Sequence, residues 1–280
     1  MLIRPRVLAM RRRVARARMC CERHLLPSLP TDRPLTGGRI LCYHGVGTPQ
    51  WGVNDITPQR FEQHLRAALA EGFRFVPAAE LAEQPQPQPG RPPDTLAAGR
   101  TQPTAPDRRL AITFDDGLRS VLTAAAPALR ELGIPWTLFV VTDWAEGDRP
   151  EEADLLLDWH DIAALAESGV TIGSHSVTHP DFGRLSPGRA AEELGRSREI
   201  IRDRLGIDPR EFAAPLGQSA NWFPGATRAV FDAGYRTVYA QSQDRRPQGT
   251  VGRTFVTRFD TDRIFRAALR GAFDRWEEWI

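Results

Sequence analysis

Leu110-Ala111-Ile112-Thr113-Phe114-Asp115-Asp116-Gly117 decides how this chain is read. Five apolar and β-branched residues form a strand of the kind buried on both faces, and it stops at two adjacent acids and a glycine. Outward from it the chain alternates strand-like and helix-like text, the pattern of an α/β fold with a parallel sheet. Upstream, residues 39–43 make a short apolar strand that delivers His44 and Gly45. Thr57-Pro58 then reads as N-cap and N1 of a helix whose apolar stripe is Phe61, Leu65, Ala68 and Leu69, ending at Gly72. Residues 73–76 resemble another strand. Downstream, a helix over 118–132 closes at Gly133, and an all-apolar strand over 136–142 follows. A polar loop over 143–157 leads to a helix over 158–168 and a strand over 170–173. Ser186-Pro187 opens a long helix through 205, which Gly206 ends. Strands over 212–214, 235–239 and 254–258 and a helix over 265–279 complete the chain. Asp115, His44, His175 and the Pro215-Leu216-Gly217 turn all follow strands directly. Chemistry in β/α barrels gathers at those strand ends, so a distorted (β/α) barrel is expected rather than an open sheet.

The whole chain sets wide bounds. Its 280 residues are 41% hydrophobic and 26% charged, an ordinary globular composition, and a net charge of +2 gives no reason to expect a nucleic-acid partner. All 37 basic residues are arginine, which reads as coding bias. Cys20, Cys21 and Cys42 make neither a disulfide framework nor a zinc spacing, and suit a reducing compartment. No run reaches the ~18 apolar residues of a membrane span, and arginines interrupt any signal-peptide core near Met1. A cytoplasmic location is therefore the expectation. Residues 1–36 form a basic N-terminal segment ahead of one domain over 37–280. In it Leu2, Val7, Leu8, Met10, Val14 and Met19 interleave with arginines, which suits peripheral association with an anionic membrane surface, or a tail or an exterior helix. The Pro/Gln-rich text over about 84–109 reads as a surface insertion, because the strand after it completes the site.

Some sixty residues after the acid pair comes His175-Ser176-Val177-Thr178-His179. Histidines four apart can aim two nitrogens at one ion, and a single carboxylate added to them leaves positions open for water and substrate. A second carboxylate alongside can act as a base. This is the equipment of metal-assisted hydrolysis.

Thr113-Phe114-Asp115-Asp116-Gly117 and His175-Ser176-Val177-Thr178-His179 resemble the first and second motifs of the polysaccharide deacetylases, carbohydrate esterase family 4 with its NodB-homology domain. Phe212-Ala213-Ala214-Pro215-Leu216-Gly217 stands where the third motif belongs. Leu41-Cys42-Tyr43-His44-Gly45-Val46, coming first, resembles the circularly permuted branch that includes poly-N-acetylglucosamine deacetylases. The resemblance implies a deacetylase barrel acting on N-acetyl groups of an amino-sugar poly- or oligosaccharide or glycoconjugate. It implies one divalent ion held by Asp116, His175 and His179, with zinc expected and cobalt, nickel, iron and manganese as alternatives. Asp115 would be the general base and His44 the general acid. The Leu216 main-chain N–H would stabilise the oxyanion, with Pro215 and Tyr43 beside the substrate.

Two departures bear on this. Many relatives carry Arg-x-Pro-Tyr in the third motif, where the arginine orients the base; here Ala213 and Leu216 replace the two side chains. Arg253 resembles a late arginine of the permuted branch that could orient Asp115, with a surface salt bridge as the alternative. Trp51, Trp144 and Trp222 could stack on sugars, and Trp222 is the one favoured. His64 reads as a surface or boundary residue, and His160 as helix-start packing. Two alternatives stay open: a deacetylase of another substrate (an O-acetyl ester or a small molecule), and a non-catalytic carbohydrate-binding relative.

Overall fold

The computed structural model describes residues 14, 17–28, 38–82, 107–241, 243 and 246–274. Its centre is a parallel pair, β1 (Arg39–Tyr43) and β5 (Arg109–Phe114), in register from Arg39 opposite Leu110 to Tyr43 opposite Phe114. Between them lie two two-residue strands that pair with each other, β2 (Gly45–Val46) and β3 (Asp55–Ile56), and β4 (Arg74–Phe75), a short edge piece on β5. After β5 come β6 (Trp136–Val140), β7 (Thr171–Ser174), β8 (Glu211–Ala213) and β9 (Thr237–Ala240). The last two are β10 (Val251–Gly252) and β11 (Thr254–Phe255).

The sheet runs β10-β9-β8-β7-β6-β5-β1-β11, with every neighbouring pair parallel. Its two ends, β10 and β11, flank Arg253 on one stretch of chain. The first half of residues 251–255 therefore bonds to β9 and the second half to β1, and the sheet curls into a nearly closed barrel. The strands over 136–140 and 39–43 are buried at every position, as expected where helices cover one face and the barrel interior the other. Ile112 and Phe114 are wholly buried, each worth about 1.5–3 kcal/mol.

The helices start and stop as their end residues dictate. Thr57 accepts from the Arg60 N–H, Asp158 from Asp161 and Ser186 from Arg189, opening the helices Pro58–Ala70, Trp159–Glu167 and Pro187–Leu205. Gly206 ends the last of these in a left-handed conformation, φ 68°.

Several expectations need correction. The helix after Gly117 contains a widened π turn, Val121–Ala125, just before Pro127, which has no N–H to continue the regular ladder. The polar loop over 143–157 holds a helix, Thr142–Glu146, and a 3-10 segment, Pro150–Leu155. The late strand over 254–258 is only β11, and β10 was not foreseen. Leu69 is exposed, while His64 is wholly buried in the stripe of its helix. Its ring stacks on Phe265 at 4.0 Å and its nitrogens meet Tyr43 Oη and the Asp260 carbonyl.

Most of the basic N-terminal segment lies outside the described residues, as does the Pro/Gln-rich stretch over 84–106. The described part, a helix over 17–25, is docked rather than free. Arg23 donates to the Phe255 carbonyl at 2.8 Å and covers the Phe273 ring, and Met19 is buried. Met19 is thus unavailable to a membrane surface, although Val14 is exposed. No helix among the described residues is long and apolar enough to cross a membrane. The three cysteines are free.

Candidate active site

The C-terminal ends of β1, β5, β7 and β8 release His44, Asp115-Asp116, His175 and Pro215-Leu216 onto one end of the barrel. Four described residues other than glycine have a positive φ: Asp116 (74°), Ser176 (69°), His179 (58°) and Leu216 (61°). Asp116, His179 and Leu216 are expected site residues, and Ser176 lies in the motif between the two histidines. Such a conformation costs about 1–3 kcal/mol each and persists only where surrounding bonds enforce it.

The loop from His175 to His179 shows that enforcement. The His175 N–H bonds to the Val140 carbonyl, and the His179 N–H to Ser176 Oγ at 3.0 Å. Glu193, reaching in from the Pro187–Leu205 helix, accepts the N–H groups of Val177 and Thr178 on Oε2 and the Thr178 hydroxyl on Oε1. One buried carboxylate therefore holds the backbone between the two histidines. It lies fourteen or more positions past the motif it supports, so no local pattern could have flagged it.

Asp116, His175 and His179 converge. Their ligand atoms lie within 4.8 Å of one another. Asp116 Oδ1 is 3.6 Å from Nε2 of each histidine and is buried without a hydrogen-bond partner among the described residues. His175 Nδ1 sits 2.8 Å from the Ala213 carbonyl, which can only accept, so that nitrogen carries the proton and Nε2 presents a lone pair. Burial, opposed by the neighbouring carboxylates, pushes the His175 pKa down to about 4, so the ring is neutral near pH 7. An orphaned carboxylate oxygen facing lone-pair nitrogens fits a zinc-class divalent ion with coordination positions left open.

Asp115 lives in a different environment. Arg253, wholly buried, places Nη1 on Oδ1 and Nη2 on Oδ2, each at 2.7 Å, and also donates to Thr113 and the Ala240 carbonyl. The alternative of a surface salt bridge is thereby excluded. Burial, the largest single effect, would raise the Asp115 pKa, but Arg253 together with the neighbouring histidines outweighs it and holds the group well below the usual carboxylate range. The Cys42 thiol donates to Oδ2 at 3.3 Å; burial, ahead of Arg253's opposite pull, keeps it protonated. Cys42, His44 and Asp115 form a second close group of ligand types, but a protonated thiol under a guanidinium is a donor rather than a ligand. The signal was present: Cys42 lies on β1 and His44 just past its end, two positions on, so the strand's alternation sends both to one face. His44 itself is buried, edge-on to Phe255 at 5.5 Å, with Nδ1 unpartnered among the described groups.

Other expected residues fall elsewhere. The Tyr43 side chain, placed beside the substrate by expectation, is a core residue packed on Phe61 and Phe114. Only its carbonyl reaches the site, accepting the Asp115 N–H. Trp222 is wedged against Phe182 and Phe212, with Nε1 on Thr227, in a satellite core. Trp51 and Trp144 are the tryptophans at the ligands: Trp51 donates to Asp116 Oδ2 at 2.7 Å, and Trp144 lies 5.3 Å from the His179 ring. Pro215 is buried and the Leu216 side chain is exposed at the rim. Gly217 follows because a Cβ there would sit 2.3 Å from that of Gln241. His160 is exposed at its helix start.

Comparison with known proteins agrees with this arrangement. A family model described as polysaccharide deacetylase matches residues 102–240. The structure of IcaB from Ammonifex degensii superposes with a TM-score of 0.61 at 25% identity, covering 82% of this chain and 96% of that one. YxkH of Bacillus subtilis is 22% identical over 181 residues, 64% of this chain, and a chitooligosaccharide deacetylase of Bradyrhizobium is 28% identical over 112 residues, 39% of this chain. The chain spans only 56% and 47% of the lengths of these two relatives. With the acid pair, the histidine loop and the barrel all in place, residues 102–240 of this chain form a polysaccharide deacetylase domain.

Proposed function

We propose that this protein is a metal-dependent hydrolase that removes N-acetyl groups from an amino-sugar oligo- or polysaccharide or glycoconjugate. One observation carries the reading: two adjacent carboxylates are sent to separate tasks. Asp116 faces two imidazole nitrogens with an orphaned oxygen, while Asp115 is clamped by Arg253 and kept ionised. The similarity to a chitooligosaccharide deacetylase supports an amino-sugar substrate.

Asp116, His175 and His179 would hold the ion, which when bound acidifies water and polarises the acetyl carbonyl. Asp115, ionised throughout the working range, takes the proton of the attacking water. The two bonds from Arg253 fix its orientation, at the cost of weakening it as a free base. His44 gives a proton to the departing amine nitrogen, a step for which an imidazole suits neutral pH. The Leu216 N–H stabilises the oxyanion, a contribution of about 2.7–4 kcal/mol for one such donor. Arg253 supplies from the barrel seam the guanidinium that Ala213 lacks.

The test is acetate release from N-acetylglucosamine oligomers before and after chelation, and after adding back zinc, cobalt, nickel, iron or manganese. Release that stops with chelator and returns with metal supports the reading; release indifferent to chelator, or none with any acetylated substrate, overturns it. Including acetylxylan and small acetylated amides in the same assay distinguishes the N-acetyl substrate from an ester.

A further inference from the structure

The two oxygens of Asp116 are used differently. Oδ2 accepts the Trp51 indole N–H at 2.7 Å, while Oδ1, 3.6 Å from both histidine Nε2 atoms, has no hydrogen-bond partner among the described residues. A free carboxylate can meet a divalent cation through one oxygen or both. An indole N–H is a donor only, fixed in the plane of its ring, so the oxygen it occupies has one lone pair fewer to offer an ion as long as the ring cannot turn.

The ring is well held. Trp51 meets Trp144 edge to face at 6.1 Å, and the Arg149 guanidinium lies 4.7 Å from the Trp144 centroid and 5.8 Å from that of Trp51. Arg149 is itself bridged to Glu152 at 2.6 Å. Beneath the ring, the Trp51 main-chain N–H bonds to the Thr48 carbonyl, and Asp55 Oδ1 accepts from the main-chain N–H groups of Gly47 and Thr48 at 2.8 and 2.7 Å. Arg258 closes the loop from the other side through the Val53 carbonyl. These are the supports of a fixed donor, and they leave Trp51 and Trp144 engaged with metal-site residues rather than free as a sugar platform.

We propose that Trp51 is a positioning residue of the metal centre: its N–H occupies Asp116 Oδ2, so that Asp116 offers an ion Oδ1 alone. The Trp144–Arg149 stack keeps the indole in place. A ligand set restricted to one carboxylate oxygen and two nitrogens leaves more of the ion's coordination for water and the acetyl oxygen. The inference rests on the metal-site reading above, and its test separates the two.

Trp51→Phe keeps a ring and removes the donor, whereas Trp144→Phe thins the stack and keeps the donor. Zinc affinity is read by competition with a chromogenic chelator, and coordination by the visible absorption of the cobalt-loaded protein. W51F is expected to bind zinc about 10–100-fold more weakly, and W144F to change much less. The cobalt bands of W51F should lose intensity as a second carboxylate oxygen raises the coordination number. Trp51→His, with a ring N–H of its own, should recover part of the lost affinity and serves if W51F folds poorly. Zinc held as tightly by W51F as by wild type, with unchanged cobalt bands, overturns the proposal. So does equal loosening in W144F, which would make the role one of packing. Wild-type protein that takes up no zinc or cobalt instead overturns the metal-site reading itself.

Discussion

Arg253 and Asp115, 138 positions apart in the chain, meet inside the barrel through two parallel 2.7 Å hydrogen bonds. Both are almost wholly removed from solvent. Removing one partner of such a pair strands the other charge, at a cost of about 3–5 kcal/mol. Arg253→Ala should therefore unfold at clearly lower denaturant concentration. Arg253→Lys keeps the charge but not the fork, and should fold better while losing turnover with zinc content unchanged. Paired denaturant melts and acetate-release assays check this; an R253K enzyme at full rate would contradict the orienting role.

Asp115→Asn should lower turnover by about 10²–10⁴-fold, the usual worth of a positioned general base, with bound metal retained. His175→Ala should lose the metal. Metal analysis beside single-turnover acetate release tells these apart, and full activity in either variant would remove the division of labour between the two acids.

Glu193→Ala leaves the N–H groups of Val177 and Thr178 without their acceptor, at about 1–3 kcal/mol for each one left buried. Because those groups lie between the two histidines, the variant should also loosen the metal. Glu193→Gln keeps one acceptor oxygen and should fall between. Thermal melts with and without zinc measure both effects. A variant destabilised without weaker metal binding would limit Glu193 to the fold.

Stability should also fall with rising pH because of Glu211. It is buried, with Oε2 unpartnered among the described residues and the Tyr239 hydroxyl on Oε1, and burial raises its pKa from 4.5 to about 7. The folded state then holds the proton more firmly than the unfolded state. The group's favourable share is full below pH 4.5 and is lost as pH rises through 7, about 3 kcal/mol in all. Glu211→Gln cannot ionise and should flatten that decline, giving a variant more stable than wild type at pH 8. Denaturant melts of the two proteins from pH 4 to 9 provide the measurement.

What was legible in the sequence was whatever is local. β5 and its acid pair, the histidine spacing and the helix caps at Thr57, Asp158 and Ser186 depend on neighbours within a few residues. The failures have a common physical source. His64 reads as surface because imidazole is polar, and only the later arrival of Asp260 and Phe265 makes its burial affordable. Tyr43 sits beside a candidate acid in sequence, yet strand alternation sends its side chain to the opposite face from His44. Trp222 follows a motif turn, but its ring packs, part-buried, on the Phe182–Phe212 pair, which forms only when distant segments meet. Arg253 was a candidate with two readings because its partner strands, β9 and β1, are set by barrel closure and not by local text.

The shared strand at that closure gives the site an order of completion. His44, Asp115, Asp116, His175 and His179 all leave the ribosome before residues 251–255, which seal the barrel and carry Arg253 inward. The proposed metal-binding side chains, Asp116, His175 and His179, all come from segments that precede that seal. The base, however, lacks until then the counter-charge that keeps it aligned and ionised away from water. On the proposed reading, closing the fold also completes the base, and a protein nicked before residue 251 is expected to bind metal while releasing acetate far more slowly.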